Sequence, residues 1–449
     1  MTAAATLARR ASFPHGVHPP EGKGFAADKP IEPLPPPAEV VIPFAQHLGA
    51  PARPVVKPRQ EVKCGDLLGE PAGFISAAVH CSINGKTQAF CAVTLPNARH
   101  VPAVPVKADG EQLSGQALWD DVYGGDWPSN VGGVEPRAVA DAAAAAGLVG
   151  MGGAAFPTHV KLVHNDNKPI DTILINGCEC EPFLTSDYRL MLQAPRAIVT
   201  GALLAARAQH AGRIVAVIED NKPRAVEAMR DAAAGTGIEV AVARTKYPQG
   251  GERQAIFAVT GRRVPTAGLP LDVGVVVVNV GTAAALARAV LRGRPLTHRV
   301  VCVTGGGVAE PKNVLAPIGT SYQALIDFCG GLTADAARVI SGGPMMGFAV
   351  GDLGTPVTKG TSGLTVLTAR DVRAAEETHC IRCGRCVDVC PAALVPTKIA
   401  AAAKAGDWEL ARRYYITACI ECGCCGYICP ARIPLVQLIR MGKSLLPRD

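Results

Sequence analysis

Four short and almost continuously apolar runs lie in the middle of the chain, and longer alanine-rich stretches separate them. The stretches at 186–209 and 222–234 have the composition of helices. Strands that are apolar on both faces and alternate with helices are typical of a parallel sheet covered on both sides. The pattern therefore predicts an α/β domain whose strands are TILIN (172–176), RIVAVIE (213–219), EVAVA (239–243) and VVVVNV (275–280).

Shorter β-like runs precede and follow this α/β region. Between residues 55 and 94 they are broken by Gly-Asp and Asn-Gly turns, and Asn84-Gly85 predicts a β-hairpin. A second β-rich unit begins with RVVCVTGGGV (299–308) and runs to about Gly343. From about Val372 the chain has helical composition apart from its cysteine-rich loops. We therefore predict a small β-domain on each side of the α/β domain and a helical C-terminal domain.

Composition and charge narrow the class of protein. At 449 residues the chain exceeds what one core usually organises, and its first 60 residues are proline-rich and polar, which predicts an extended segment. No window of 18 apolar residues occurs, so no transmembrane helix is expected. The net charge of +7 comes without a basic block or an interleaved aromatic run, so nucleic-acid binding is not expected. Arg9-Arg10 is followed by Pro14-His15-Gly16 where an export signal would be apolar, so we expect a cytosolic protein.

Nine of the sixteen cysteines lie after residue 379, in two copies of one motif. CIRCGRCVDVCP (380–391) and CIECGCCGYICP (419–430) both have the spacing C-x2-C-x2-C-x3-C-P. In a reducing compartment this spacing indicates metal binding, and zinc sites, the alternative, rarely repeat it. In two-cluster ferredoxins with this motif, the fourth cysteine binds the cluster of the other copy. We therefore predict two [4Fe-4S] clusters, the first bound by Cys380, Cys383, Cys386 and Cys429, and the second by Cys419, Cys422, Cys425 and Cys390.

The remaining cysteines have different expected roles. Cys424 is a spare, because the first copy of the motif has Arg385 at the same place. Cys178 and Cys180 flank Glu179 in a polar segment, where a redox or metal role is the alternative to a structural one. The others lie in apolar runs and are expected to be small core residues: Cys64, Cys81, Cys91, Cys302 and Cys329.

A glycine-rich segment, GMGGAAFP (150–157), precedes the helix-competent sequence THVKLVH. Because such a loop lacks bulky side chains, its backbone N–H groups can approach a phosphate. A purely structural turn is the alternative, and the spacing differs from the dinucleotide pattern G-x-G-x-x-G. We predict a phosphate-binding loop at Gly150, Gly152, Gly153 and Ala154, with Lys161 beside it.

Polar residues also collect where the predicted strands end. Asn176 ends TILIN and is followed by Glu179 and Glu181 in INGCECEPFLTSD. Asn279 ends VVVVN and is followed by Thr282. The segment YPQGGERQ (247–254) supplies another glycine turn before a helix. The carboxyl ends of parallel strands meet at one edge of a sheet, where α/β proteins bind ligands. One binding site built from these segments is therefore predicted, with solvated turns as the alternative.

These motifs resemble the RnfC family, a subunit of the Rnf electron-transport complex, and their order along the chain matches that family. GVHPPEGK (16–23), VTGGGVAEPKNVLAPIGTSYQALI (303–326) and SGGPMMG (341–347) extend the resemblance over nearly the whole chain. The glycine loop and the strand-end segments are also similar to the NADH-binding flavoprotein subunit of respiratory complex I. The resemblance implies a multidomain α/β protein with an extended proline-rich segment (1–45), a lipoyl-like barrel-sandwich hybrid β-domain and connection (46–130), a Rossmann-like FMN- and NADH-binding domain (131–295), an SLBB β-grasp module (296–350), a linker (351–371) and a helical two-[4Fe-4S] ferredoxin domain (372–449).

The same resemblance implies roles for individual residues. No protein residue is expected to be catalytic, because the hydride acceptor would be non-covalently bound FMN. The implied contacts are Gly150, Gly152, Gly153, Ala154 and Lys161 with the FMN phosphate and ribityl chain, Asn176, Glu179, Asn279 and Thr282 with the isoalloxazine and ribityl groups, and Glu181, Tyr247 and Glu252 with the nicotinamide nucleotide.

By this resemblance, the chain would be an NADH-dependent oxidoreductase, the electron-input subunit of a membrane-bound Rnf-type complex. It would move electrons between NAD(H) and ferredoxin or flavodoxin through FMN and two [4Fe-4S] clusters, and the whole complex would couple this to Na⁺ or H⁺ translocation. The implied partners are an iron–sulfur RnfB-type subunit and the membrane subunits, which would hold the chain peripherally at the cytoplasmic face of a bacterial plasma membrane. The alternatives are a non-enzymatic iron–sulfur conduit or scaffold, and a flavoprotein that resembles cobalamin reductases.

The spacing within the second cysteine motif predicts the outcome of two substitutions. Cys424→Ala should keep both clusters, because the first copy binds its cluster with Arg385 at that place. Cys425→Ala should lose one cluster and so about half of the iron. Iron and sulfide content per chain after anaerobic reconstitution measures both outcomes. Equal iron loss in the two variants would contradict the assignment.

Overall fold

The computed structural model describes residues 11–372 and 376–447. Its strands, in chain order, are β1 (Ile31–Pro33), β2 (Glu39–Pro43), β3 (Arg53–Pro54), β4 (Glu61–Val62), β5 (Leu67–Glu70), β6 (Val79–His80), β7 (Gly85–Thr87), β8 (Cys91–Thr94), β9 (His100–Ala108), β10 (Thr172–Asn176), β11 (Arg213–Glu219), β12 (Glu239–Ala243), β13 (Val275–Asn279), β14 (His298–Thr304), β15 (Lys312–Pro317), β16 (Ala336–Ser341), β17 (Phe348–Val350) and β18 (Gly363–Thr368). Its α-helices are α1 (Gly115–Val122), α2 (Pro136–Ala145), α3 (Thr158–Leu162), α4 (Ser186–Gln193), α5 (Pro195–Gln209), α6 (Pro223–Ala233), α7 (Glu252–Thr260), α8 (Val280–Arg292), α9 (Tyr322–Phe328), α10 (Arg385–Asp388), α11 (Pro396–Ala405), α12 (Trp408–Arg413), α13 (Cys424–Ile428) and α14 (Leu435–Leu445).

The four predicted apolar runs form one parallel sheet with the strand order β12-β11-β10-β13. Ile173 and Ile175 of β10 pack into a core that contains residues of α5 and α8, whereas Leu174 packs against residues of α7. Successive side chains of a strand point to opposite faces, so both faces of this sheet are covered. The structure therefore confirms the predicted parallel α/β domain.

The long helical stretch predicted at 186–209 is two helices, α4 and α5. Ala194 leaves the helical region with φ −136° and ψ 44°, and Pro195 occupies the first position of α5. The residue before a proline is disfavoured in helical geometry, while proline itself suits the first helical turn. The break therefore follows from the Ala-Pro sequence.

The small N-terminal β-domain consists of two sheets, β2-β9-β7-β4 with β8 beside β9, and β3-β5-β6. The hairpin predicted at Asn84-Gly85 is wrong, because β6 and β7 on either side of it belong to different sheets. The side-chain oxygen of Asn84 accepts a hydrogen bond from Cys64 N (2.8 Å), and its amide donates to Glu111 O (2.5 Å). Asn84 thus joins three distant segments at a crossing between the sheets.

The second β-unit is a six-stranded sheet with the order β1-β15-β14-β18-β16-β17. The expected linker at 351–371 is wrong as a description of this region, because β18 lies inside the sheet between β14 and β16. The proline-rich N-terminal segment supplies strands to two domains, since β1 pairs with β15 and β2 pairs with β9. Two strands of the six-stranded sheet, β1 and β18, therefore come from segments outside the module predicted at 296–350.

The C-terminal domain is helical, as predicted, and the two cysteine motifs adopt the same local structure. Gly384 and Gly423 have φ values of 76° and 86°, and each directly precedes a short helix, α10 or α13. This left-handed geometry favours glycine, which has no Cβ. The internal repeat in the sequence is therefore also a repeat of backbone conformation. Within residues 11–372 and 376–447, no helix is long and apolar enough to cross a membrane.

One buried lysine joins three parts of the fold. Lys359 is fully buried and donates from Nζ to Ala78 O in the N-terminal β-domain and to Gly147 O (2.7 Å) in the α/β domain. Burial lowers the pKa of Lys359 to about 7. Its two acceptors are neutral carbonyl groups, which offset the cost of burying a charge less than a carboxylate would.

The lowered pKa predicts a pH-dependent contribution of Lys359 to stability. The folded pKa lies near 7 and the unfolded pKa near 10.5, so the unfolded chain binds more protons between these values. Stability relative to Lys359→Met should therefore rise as the pH increases from 7.5 to 9.5, by about 1 kcal/mol per pH unit. Unfolding of both proteins at several pH values measures the difference. A difference that is independent of pH would contradict the prediction.

Candidate functional site

Two asparagines mark the carboxyl edge of the parallel sheet. Asn176 ends β10 and Asn279 ends β13, and the two residues are paired directly across the strands. Asn176 donates from Nδ2 to Gly250 O (2.8 Å), which brings the 247–254 segment to this edge. The side-chain oxygen of Asn279 accepts from Gly281 N (2.8 Å) and Thr282 N (3.3 Å) and so caps α8. The strand ends predicted to share one site therefore lie together.

The glycine-rich loop is closed by two hydrogen bonds. Gly150 N donates to Phe156 O (2.8 Å), and Met151 N donates to the Thr282 hydroxyl (2.9 Å). The first bond closes the loop on itself, and the second ties it to the first turn of α8. Thr282, predicted to face a ligand, thus also positions the loop.

The tip of this loop presents an open, side-chain-free surface beside Asn279. A Cβ atom on Gly152 would lie 3.0 Å from Asn279 Nδ2, so the backbone passes close to that amide. A Cβ atom on Gly153 would meet no atom within 4 Å, and Gly152, Gly153 and Ala154 are all exposed. Such a surface suits the close approach of a phosphate or a ribityl chain to the backbone.

Lys161 and Glu252 meet at the same edge. Lys161 Nζ lies 2.7 Å from Glu252 Oε1 and 3.4 Å from Val277 O. Both side chains remain partly exposed, at 31% and 40%, so the ammonium group is still accessible to a ligand. An exposed pair of this kind contributes little to stability. A phosphate could therefore share or replace the carboxylate as the partner of Lys161.

The Glu179 carboxylate is hydrogen-bonded to the first turn of α4, a contact that the sequence does not reveal. The carboxylate accepts from Asp187 N (2.7 Å) and Tyr188 N (3.1 Å), at the start of α4. Asp187, which the sequence analysis missed, accepts from Asn279 Nδ2 (2.6 Å). Burial first and the nearby Glu179 second raise the pKa of Asp187 to about 7. The sheet edge therefore carries a carboxyl group that titrates near neutral pH, and the only sequence signal for it is its place in INGCECEPFLTSD.

Glu181 and Tyr247 have partners outside the α/β domain. Glu181 Oε1 accepts from Met345 N (2.8 Å) and Met346 N (2.9 Å), and burial raises the pKa of this carboxyl. The Tyr247 hydroxyl donates to Cys422 O (2.6 Å), in the second cysteine motif. These two side chains thus join the α/β domain to the second β-unit and to the cysteine domain. Their contact with a nicotinamide nucleotide stays a prediction.

Lys23 is a second functional candidate that the sequence analysis missed. Its Nζ donates to Glu179 O (2.9 Å), Glu181 O (3.1 Å) and Leu184 O (2.6 Å). Burial lowers the pKa of Lys23, and the attraction of Glu179 opposes that effect. Lys23 is the last residue of the motif GVHPPEGK (16–23), but the motif does not indicate which residues the lysine contacts. Lys23 holds the loop after β10 in one conformation.

The cysteines of the second predicted cluster line one cavity that is partly open to solvent. Four thiols around one space match the donor set that a [4Fe-4S] cluster requires. In the first predicted set, Cys380 and Cys383 are exposed, whereas Cys386 is buried and Cys429 half-buried. The cavity is lined by Cys390, Cys419, Cys422 and Cys425, together with the spare Cys424 and apolar residues of α11 and α14.

Family models match four consecutive parts of the chain. They are the RnfC barrel-sandwich hybrid domain (residues 11–111), the Nuo51 FMN-binding domain (143–288), the SLBB domain (300–349) and the 4Fe-4S dicluster domain (376–433). Together with the edge site and the cysteine cavity, they define a flavoprotein that carries two iron–sulfur clusters. The predicted fold class and cofactors are thereby confirmed.

Curated relatives narrow the class to one family. A subunit of the proton-translocating ferredoxin:NAD(+) oxidoreductase complex of Clostridium ljungdahlii is 43% identical over 90% of this chain and 87% of its own. The corresponding subunit of the Na(+)-translocating complex of Acetobacterium woodii is 40% identical, over 89% of both chains. That of the ion-translocating oxidoreductase complex of Rhodobacter capsulatus is 40% identical over 96% of this chain and 82% of its own. The chain belongs to the RnfC family, as its motifs predict.

One comparison with a solved structure completes the list of similar proteins. A chain of the NAD⁺-reducing [NiFe]-hydrogenase in the H₂-reduced state has a TM-score of 0.48 and 20% sequence identity, over 72% of this chain and 64% of that chain.

Gly153 offers a direct test of the predicted FMN cradle. Gly153→Val should weaken FMN binding at least about tenfold, because the new side chain would occupy the open surface of the loop. It should leave the stability of the FMN-free protein unchanged, since the added atoms meet nothing in the structure. Titration of FMN fluorescence and thermal unfolding without FMN measure the two effects. Gly133→Val is the matched control, because Gly133 is also exposed with open space around it. Equal FMN affinity in the two variants would contradict the prediction.

Proposed function

We propose that this chain is the electron-input subunit of an Rnf-type complex, in which it moves electrons between NAD(H) and a ferredoxin or flavodoxin. The relatives from C. ljungdahlii and A. woodii are named as subunits of ferredoxin:NAD(+) oxidoreductase complexes that translocate protons and Na⁺. By this relationship the chain is part of a membrane-associated complex, and its partners are the other subunits of that complex. We place it peripherally on the cytoplasmic face, where NADH and ferredoxin are available.

The observation that carries this proposal is the short connection between the two predicted cofactor sites. The segment from Tyr247 to Gly250 contacts the sheet edge through Asn176 and the cysteine cavity through Cys422. A flavin at the edge and a cluster in the cavity would therefore be neighbours. Two-electron chemistry at one site can then feed one-electron chemistry at the other.

The residues at the edge have separate tasks in this proposal. The glycine loop and Lys161 bind and orient the phosphate and ribityl chain, with Thr282 holding the loop. Asn176 and Asn279 orient the ring system by hydrogen bonds, and the Asp187 carboxyl group holds Asn279 in place by accepting a hydrogen bond from its amide (2.6 Å). FMN, when bound, supplies the conversion of a hydride transfer into single-electron steps. The protein then needs no acid–base catalyst of its own.

The exposure of the cysteines suggests an order for the two clusters. The cavity that includes Cys422 adjoins the α/β domain, whereas Cys380 and Cys383 are exposed on the surface. The cluster of Cys390, Cys419, Cys422 and Cys425 would accept electrons from the flavin. The cluster of Cys380, Cys383, Cys386 and Cys429 would exchange them with the partner subunit.

Anaerobic reduction by NADH tests the proposed function. The reconstituted chain should contain about one FMN and about eight iron atoms. NADH should bleach the flavin absorption first and the iron–sulfur absorption afterwards, because electrons enter at the flavin. Dithionite serves as the control that reduces the clusters directly. If dithionite reduces the clusters while NADH bleaches neither chromophore, the chain is a conduit or scaffold and the proposal is wrong.

A further inference from the structure

Five segments that the sequence singles out meet where the cysteine domain contacts the rest of the chain. They are residues 16–23, 178–181, 247–250, 343–346 and 422–424. Glycines make this contact close: a Cβ on Gly16 would lie 2.5 Å from Tyr247 O, and one on Gly423 would lie 2.5 Å from Met345 O. A Cβ on Gly343 would overlap the side chain of Glu181. Such distances leave no room for a side chain at these three positions.

Tyr247 lies at the centre of this contact. Its side chain is 2% exposed, and its hydroxyl donates to the carbonyl of Cys422 at 2.6 Å. Its backbone forms two hydrogen bonds with Val17, each 2.9 Å long, and its carbonyl lies 3.9 Å from the thiol of Cys424. The N-terminal segment, the α/β domain and the second cysteine motif thus converge on one residue.

The segment that begins with Tyr247 also contacts the carboxyl edge of the parallel sheet, three residues later at Gly250. Gly250 O accepts from Asn176 Nδ2 (2.8 Å), and Gly250 N donates to the sulfur of Cys180 (3.3 Å). A covalent path of four residues, from Tyr247 to Gly250, therefore connects a hydrogen bond at the edge with a hydrogen bond at Cys422. Other polar contacts also link the cysteine domain to this region: Gln254 Nε2 donates to Pro391 O (3.5 Å), and Arg440 Nη2 donates to Met346 O (2.7 Å), whose own N–H donates to Glu181. The Tyr247 hydroxyl differs from these contacts because its acceptor belongs to a predicted cluster ligand, Cys422.

We propose that Tyr247 is a positioning residue for electron transfer: its hydroxyl fixes the Cys422 backbone against the flavin edge and so couples the cavity cluster to the flavin. This inference rests on the proposed function. In each transfer one electron leaves the reduced flavin and enters the cluster, and the tyrosine keeps its proton and is not itself oxidised. Hydrogen bonds around the ligands of a cluster also tune its potential. Loss of the hydroxyl should therefore affect both the transfer rate and the cavity cluster.

Tyr247→Phe removes only the hydroxyl and is the test. The variant should retain FMN. Because Tyr247 is also predicted to contact the nicotinamide nucleotide, the rate at which NADH reduces the flavin is measured first in each protein, and cluster reduction is compared from the point at which the flavin is reduced. Cluster reduction after flavin reduction, followed anaerobically by stopped-flow absorption, should slow at least fivefold. In samples reduced with dithionite, the electron paramagnetic resonance spectrum of one of the two clusters should change. Tyr415→Phe, which removes an exposed hydroxyl from the same domain, should change none of these measurements.

The other possible results for Tyr247→Phe also support or overturn the positioning role. Loss of about half of the iron from Tyr247→Phe with FMN retained would support the positioning role, because the cavity cluster would then depend on this hydroxyl. Wild-type cluster reduction together with an unchanged dithionite spectrum would overturn the proposal. Loss of FMN would assign Tyr247 to the flavin site itself and would also overturn it. If NADH fails to reduce the wild-type flavin, the proposed function fails, while the dithionite spectrum still tests the coupling to Cys422.

Discussion

The register of β10 against β13 is the constraint on which the candidate flavin site depends. Because the two strands are parallel and paired residue for residue, Asn176 and Asn279 end at the same edge and face the same space. Asn279 then fixes the start of α8, and Thr282 in that helix holds the glycine loop. A shift by one residue would move every side chain of a strand to the opposite face. The positions of the loop, the helix cap and Asp187 all follow from this pairing.

Buried charges hold the loop after β10 against the rest of the protein. Lys222 and Glu219 form an ion pair of 3.1 Å in which both side chains are almost completely buried. Lys23 lies close to this pair and is held by three backbone carbonyl groups of the loop. Buried charges are costly unless they are paired or hydrogen-bonded, so loss of one partner would leave the others uncompensated. The N-terminal motif therefore helps to stabilise a loop more than 150 residues away in the sequence.

Much of the architecture could be predicted from local pattern. The apolar runs gave the four strands of the parallel sheet, and the cysteine repeat gave a duplicated turn with glycine at Gly384 and Gly423. The errors arose where distant segments determine local structure. Asn84-Gly85 has a hairpin sequence, yet Asn84 binds the backbone of Cys64 and Glu111. Likewise, β18 enters its sheet beside β14, a strand that is distant from it in the sequence.

The candidate site shows the same division between local and long-range information. The position of a residue at a strand end or in a glycine loop is local, and Asn176, Asn279 and the loop lie together as expected. The partners of Lys23, Asp187 and Tyr247 depend on contacts across 90 to 180 residues, which no periodicity encodes. The spare Cys424 is a clear case, since the motif alone marks it as surplus and the structure buries it against Tyr247.

The central claim is that a flavin at the sheet edge and a cluster in the cysteine cavity are neighbours across Tyr247. Anomalous diffraction at the iron absorption edge, from anaerobic crystals of the chain reconstituted with iron, sulfide and FMN, measures this directly. We expect two iron peaks, one within the cavity of Cys390, Cys419, Cys422 and Cys425 and one at the exposed Cys380 and Cys383, with flavin density over the glycine loop beside the first. Flavin density away from that loop, or a flavin whose nearer iron peak is the exposed one, would contradict the account.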